Sequence, residues 1–385
     1  MGSGERIVEQ VSFLKGEMLE LLEELVLIQS GTMNKTGLDR MARTVFRALS
    51  GILPQVEIIS MQECGNMVLA WNNEARTCKP ILLVGHMDTV FPQDTDFNFF
   101  RQDREKIYGP GVMDMKGGLV VGFFALKALS RLGLLEDIPI TFICNSEEEI
   151  GSPFSRVLIE EQARKSRAAF VLEGGGVDGQ VAVGRKGKIG LDLKVTGRAG
   201  HAGVAGLDKP SAVLEAAHKT IALEALNHPP DVLVNVGLVQ GGIGPNTIAR
   251  EAVLGVDARF ADQKNHDAIL EEIRKIAGQT RVPGTRTEMR VISSRPAMPT
   301  SRNMERLYQL VEGAAQKVGV PIAREIRGGV SDANFIAATG TPVLDGLGPC
   351  GDLDHSDQEF IIKKTLPQRA ALVAQSILEV MSEQV

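Results

Sequence analysis

Apolar and polar positions along this chain change period several times, and each change marks an element. Residues 17–28 carry apolar side chains at helical spacing, and residues 40–49 repeat the pattern beyond the glycines Gly31 and Gly37. Residues 55–59 and 66–71 read as strands. Residues 81–85 form a short continuous apolar run, the pattern of a strand buried on both faces, and it delivers His86 to its C-terminal end. A second such run, 138–144, leads into Asn145-Ser146-Glu147-Glu148-Glu149, and a third, 168–172, ends at Glu173. Between the first two, residues 116–132 read as a glycine-started helix with an apolar face. That helix leaves Asp114 in the loop at its N-terminus, where the helix dipole favours a carboxylate. Ligands of an open α/β sheet bind at the C-terminal strand edge, which is where these side chains are expected.

The pattern changes near residue 187. A strand at 189–195, a helix at 209–226 with Pro210 at its start, strands at 232–239 and 252–260, a helix at 267–276 and a strand at 287–292 give a ferredoxin-like β-α-β-β-α-β order. Residues 293–297 read as the linker back. A helix at 303–318, a Gly328-Gly329 loop, a helix at 332–338, a strand at 341–344, a loop with His355 and a helix from residue 366 complete the chain. The expected organisation is therefore one α/β domain, residues 1–186 and 297–385, interrupted by an α+β insertion at 187–296. A length of 385 residues also exceeds what one core usually holds.

Composition narrows the class. With 43% hydrophobic and 23% charged residues the chain reads as an ordinary globular protein, and a formal charge of -6 without a long Lys/Arg run argues against binding nucleic acid through phosphates. Cys64, Cys78, Cys144 and Cys350 are widely spaced, the pattern of free thiols in a reducing compartment. No signal core follows Met1, and no apolar run approaches the length of a membrane span, so a cytoplasmic protein without a membrane partner is expected.

The chemistry lies in five segments: Gly85-His86-Met87-Asp88, the Gly111 to Gly118 loop with Asp114, Glu147-Glu148-Glu149, Glu173-Gly174-Gly175 and His355-Ser356-Asp357. Zinc takes about four ligands and, when catalytic, leaves one position for water. If Asp114 bridges two ions, His86 and Glu173 complete one set and Glu149 and His355 the other, with Asp114, Glu149, Glu173 and a hydroxide balancing the charge. His86 and Asp88, two apart, either point the same way or let the Asp accept from the imidazole and fix its tautomer. An acid run is usually a solvated face, but this one follows a strand and precedes Ile150-Gly151-Ser152, so Glu149 can bind metal while Glu148 holds back as the base for water. Of the remaining histidines, His218, His228 and His266 lack motif context. His201 sits in the glycine-rich Gly197-Arg198-Ala199-Gly200-His201-Ala202-Gly203, as a further ligand or, better, a donor to a developing oxyanion.

These segments, with Gly244-Pro245-Asn246-Thr247, Asp257-Ala258-Arg259 and Gly328-Gly329-Val330-Ser331-Asp332-Ala333, resemble the M20 family of zinc metallopeptidases over nearly the whole chain, and within it the glutamate carboxypeptidase (carboxypeptidase G2-like) branch. The resemblance implies a zinc-exopeptidase-like domain with a mixed central sheet flanked by helices, an inserted ferredoxin-like domain that dimerises, and two Zn2+ per subunit, with Co2+ or Mn2+ as other occupants. It places His86, Asp114, Glu149, Glu173 and His355 as metal ligands, Glu148 as general base and Asp88 as the orienter of His86. It implies that His201 reaches the partner's active site, that Asn246 and Arg259 contact the substrate and its free carboxylate, and that Arg295 is a further carboxylate contact. A lysine that this branch uses on a glutamate side chain has no obvious counterpart before the insertion; Arg185 and Lys186 are the nearby cations.

The expected activity is hydrolysis of an amide bond next to a C-terminal acidic residue in a small peptide or N-acyl amino acid. The alternative is an amino-acid deacylase acting on a compound such as N-acetylornithine or N-succinyl-diaminopimelate. The remote alternative is a metal-stabilised binding protein without catalysis.

Overall fold

The computed structural model describes residues 2–72, 78–206 and 209–383. Its chain divides into two compact units: Met1–Gly184 with Thr300–Ile326 and Ser331–Val385, and Arg185–Pro299 with Arg327–Val330.

A mixed six-stranded sheet organises the first unit, in the spatial order Gln55–Ile59, Met67–Trp71, Ile140–Asn145, Ile81–His86, Ala168–Val171, Val343–Leu344. The last four are parallel to one another; the first two pair antiparallel. Every residue of Ile81–His86 and of Ile140–Asn145 is buried, because both faces are covered, and the two-residue alternation is lost. The helix Lys116–Arg131 lies in this core against Ile81–His86, Lys15–Val26 and the C-terminal helix Thr365–Ser382. Its approach depends on glycine: a Cβ at Gly118 would stand 1.8 Å from the Leu172 carbonyl oxygen.

Two features were hidden from the periodicity. The helix Ser3–Phe13 buries Ile7 and Val11 against Arg302–Val318 and Thr365–Ser382, its glycine-containing start obscuring the stripe. A small sheet of Gly351–Asp352, Phe360–Ile362, Lys106–Tyr108 and Arg101–Gln102 has strands of two or three residues, too short for any period to register. The strand expected at 341–344 is only Val343–Leu344.

The second unit has the antiparallel order Val232–Gly241, Glu251–Phe260, Gly187–Thr196, Arg286–Arg295, the ferredoxin-like arrangement, with helices Ala212–Glu224 and Gln263–Gly278. Ile189, Leu191, Leu193 and Val195 alternate with partly exposed residues and pack with Leu254, Val256, Phe260 and Ile273 into a separate core. Two details differ from the sequence reading. The first helix does not begin at Pro210: Ser211 is its cap, accepting from Leu214 N at 3.3 Å, because a hydroxyl there satisfies an end N–H. Residues 293–295 are not linker: after a bulge at Val291/Ser293, Ser293, Ser294 and Arg295 pair with Gly190, Ile189 and Lys188. Their polar character is compatible with an edge strand, and they read as loop.

Candidate metal centre and active site

Three parallel strands ending side by side bring the first residues together. His86 lies opposite Asn145 in register, so the turn after Asn145, a 3₁₀ helix at Glu148–Ile150, stands beside the histidine. On the other flank Ala168–Val171 ends just before Glu173. Asp114 comes from the loop before Lys116–Arg131, and His355 from the tip of the hairpin between Gly351–Asp352 and Phe360–Ile362. At that tip Leu353 and His355 adopt left-handed backbone, φ 63° and 59°, a conformation non-glycine residues rarely hold away from functional loops.

The side chains form two sets sharing one carboxylate. His86 Nε2 lies 2.9 Å from Asp114 Oδ1 and 3.7 Å from Glu173 Oε1. His355 Nε2 lies 3.1 Å from Asp114 Oδ2 and 3.4 Å from Glu149 Oε2. The two oxygens of Asp114 therefore face different histidines. Asp354, not singled out from sequence, also brings a carboxylate oxygen into the group formed by Asp114 and His355, all within 4.8 Å. Its only signal was an acid adjacent to a histidine.

This donor set fits divalent cations. Glu149 Oε1 is buried with no hydrogen-bond partner among the described residues, an acceptor awaiting a cation. Burial pushes Glu173 up to about 8 and Glu149 up to about 7, with the Asp114 charge adding to both. Burial also works to raise Asp114, but hydrogen bonds from His355 and His86 hold it well below the usual carboxylate range. His355 rises to about 11 through its hydrogen bonds to Asp114 and Glu149. For His86 burial favours the neutral ring, yet the Glu173 charge and the Asp114 hydrogen bond lift it well above the ordinary range. In each case protons compensate carboxylates where bound cations would do so.

Asp88 meets both the imidazole and the acid turn. His86 Nδ1 approaches the Asp88 main-chain carbonyl at 3.1 Å, closer than the carboxylate at 3.4 Å, which leaves Nε2 facing the acids. The buried Asp88 carboxylate accepts from Glu148 N and Glu149 N, both at 3.2 Å, and from Thr32 Oγ1 at 2.7 Å. The acid turn is thus tied to the histidine strand, with Glu148 itself buried beside Glu149. Glu147 points elsewhere and accepts from Ser155 N and Phe154 N.

Glu359 was also missed. It is fully buried and accepts from Gly111 N, Met113 N and Asp114 N at 2.9, 2.8 and 3.0 Å. A glutamate four residues after a histidine, with no motif around it, gave no signal.

The second unit gathers its own candidates. His201 pairs with Thr247 in a short ladder, and Ala202 N donates to the Asn246 carbonyl at 2.9 Å, so His201 and Asn246 are neighbours. His201 Nδ1 accepts from Gly203 N at 3.0 Å, which fixes the tautomer with the proton on Nε2 and makes this exposed ring a donor. Arg259 is gripped by Asp257, Nε to Oδ1 at 2.6 Å and Nη2 to Oδ2 at 3.3 Å, and its Nη1 donates to Gly328 O at 3.2 Å. Arg295 is buried at the end of its strand, paired in register with Lys188.

Residues 82–379 match peptidase family M20/M25/M40, and the chain belongs to that family of hydrolytic enzymes. It is 28% identical to the carboxypeptidase G2 of Pseudomonas sp. (strain RS-16) over 379 residues, covering 94% of this chain and 89% of that protein. It is 27% identical to the succinyl-diaminopimelate desuccinylase of Nitrosococcus oceani over 365 residues, covering 89% and 93%. Among solved structures, the aminopeptidase PepT of Bacillus cereus superposes with a TM-score of 0.77 at 22% identity, covering 96% of this chain and 99% of that one.

Proposed function

We propose that this protein is a dinuclear zinc peptidase that hydrolyses the amide bond preceding a C-terminal acidic residue. The observation that carries the reading is Asp114 divided between two histidines, each accompanied by a glutamate, with Glu148 fixed alongside by Asp88. His86, Asp114 and Glu173 would hold one ion, and Glu149, Asp114 and His355 the other. Bound there, the ions would supply Lewis acidity and make water a stronger acid, from a pKa of 15.7 towards about 7. Glu148 takes the proton of the attacking water and returns it to the leaving amine. His201, its Nε2–H available, donates to the developing oxyanion in the partner subunit's site, and Asn246 contacts the reacting region. Asp257 fixes the guanidinium plane of Arg259, whose remaining Nη hydrogens take the free carboxylate of the substrate, with Arg295 as a further basic group.

Two functions separate the relatives, a carboxypeptidase and a desuccinylase.

Dimerisation through the second unit has support in its surface. The edge strand Val232–Gly241 exposes Leu238 and Val239, and Ala212–Glu224 exposes Val213, Leu214 and Ile221.

The test is a zinc-supplemented panel of N-acyl amino acids and dipeptides with acidic, neutral and basic C-termini, run on wild type and Glu148→Gln. Wild type is expected to prefer acidic C-termini, and Glu148→Gln to keep its metal while losing about 10²–10⁴ in kcat. Preference for a succinyl substrate would move the assignment to the desuccinylases. A fully active Glu148→Gln would remove the proposed base.

A further inference from the structure

The loop carrying His355 also carries a group that touches the other side of the site. We infer that Glu359 is a positioning residue that fixes the Asp114 carboxylate between His86 and His355. The inference rests on Asp114 being the shared ligand.

Each oxygen of a carboxyl group offers two lone pairs, so the group can take several N–H donors at once; burial pushes Glu359 up to about 8 against the pull of those main-chain N–H bonds. Both Glu359 oxygens are occupied by main-chain donors of one short segment, Oε2 by Gly111 N and Oε1 by Met113 N and Asp114 N. The last of these belongs to the peptide unit from which the Asp114 side chain springs, so its position follows from the clamp.

The small sheet ties the two loops together a second time. Phe360–Ile362, immediately after Glu359, pairs with Gly351–Asp352 on one side and with Lys106–Tyr108 on the other. The first pairing closes the hairpin that presents His355, and the second places the strand leading into the Gly109–Asp114 loop. Both loops therefore start from one scaffold, and Glu359 joins them again at the far end. One side chain sets the spacing between the imidazole of His355 and the carboxylate it faces, 3.1 Å here.

Glutamine at 359 keeps the shape but turns one acceptor into an N–H₂ group opposed to main-chain N–H, so the segment loses a fixing point without losing volume. Aspartate keeps the carboxyl group and shortens the reach. The cost is expected in metal affinity more than in substrate binding. Groups that orient ligands typically contribute about 10- to 100-fold to metal affinity.

The experiment titrates metal-stripped, full-length wild type, Asp114→Ala, Glu359→Gln and Glu359→Asp with Zn2+ against a chromophoric chelator, with circular dichroism of each metal-free protein. Glu359→Gln is expected to keep its metal-free spectrum and to bind Zn2+ about tenfold or more weakly. Its KM should stay unchanged while kcat recovers as Zn2+ is raised, and Glu359→Asp should fall between it and wild type. A folded Glu359→Gln that titrates like wild type, while Asp114→Ala loses Zn2+, overturns the inference and leaves the ligand reading standing. Wild type and Asp114→Ala titrating alike would overturn the ligand reading, and this inference with it. If Glu359→Gln fails to fold, a folded Glu359→Asp with wild-type affinity is the overturning result.

Discussion

At the scale of single residues, the centre is a contest between protons and cations. His355 at about 11, Glu173 at about 8 and His86 well above its ordinary range all hold protons near neutrality in the metal-free protein. A ligand binds only after deprotonation, so each proton must leave as an ion enters. Affinity is therefore expected to rise with pH and weaken as pH falls from 8 to 6. Calorimetric zinc titrations in buffers of different ionisation enthalpy would detect the released protons, and an affinity independent of pH would contradict the assignment. The same scale shows what the sequence conceals. His86, Asp114, Glu148 and His355 drew notice because each stands in a glycine-rich or acid-rich segment at a strand or helix boundary. Glu359 and Asp354 were not, since their significance lies in a main-chain segment and a side chain more than two hundred residues away. Asp88 was recognised as a partner of His86, but its hold on Glu148 N and Glu149 N depends on adjacent strands in register.

At the scale of elements, the long buried strands and helices announce themselves and the short ones do not. Continuous apolar runs betrayed Ile81–His86 and Ile140–Asn145, while the two-residue strand Gly351–Asp352 depends wholly on its neighbours. The contact of helix Lys116–Arg131 with Leu172 offers a test of packing. Gly118→Ala places a methyl group where the Leu172 carbonyl stands, so the helix must shift, and a loss of about 1–3 kcal/mol is expected in chemical denaturation. In the second unit, Lys219 donates to Ile276 O, Ala277 O and Gln279 O, capping the end of Gln263–Gly278 while paired with Glu215 at 3.1 Å. Both are buried, which helical periodicity could not foretell, because charged residues on the inner face look like breaks in the stripe. Removing one partner strands the other, so Lys219→Met is expected to cost about 3–5 kcal/mol, measured by urea unfolding. A variant as stable as wild type would show that the pair carries no net weight.

At the scale of the whole molecule, the two-unit division was readable because the insertion brings its own alternating strands and its own core. Its exact limits were not, since Arg327–Val330 belongs with the second unit despite lying far along the chain. The proposed dimer gives a prediction at this scale. Mixed Glu148→Gln and His201→Ala chains should regain activity after subunit exchange, each heterodimer holding one intact site, and no recovery after confirmed exchange would confine His201 to another role. The first unit carries a further consequence through its order in the chain. His86, Asp114, Glu149 and Glu173 all precede the second unit, whereas His355 and Glu359 follow it. A ribosome must therefore translate the main span of the second unit, Arg185–Pro299, between the fourth candidate ligand and the fifth. Nascent chains and prematurely terminated products that stop short of His355 carry an incomplete candidate cluster, so a chain broken off before or within the second unit lacks part of the proposed metal site.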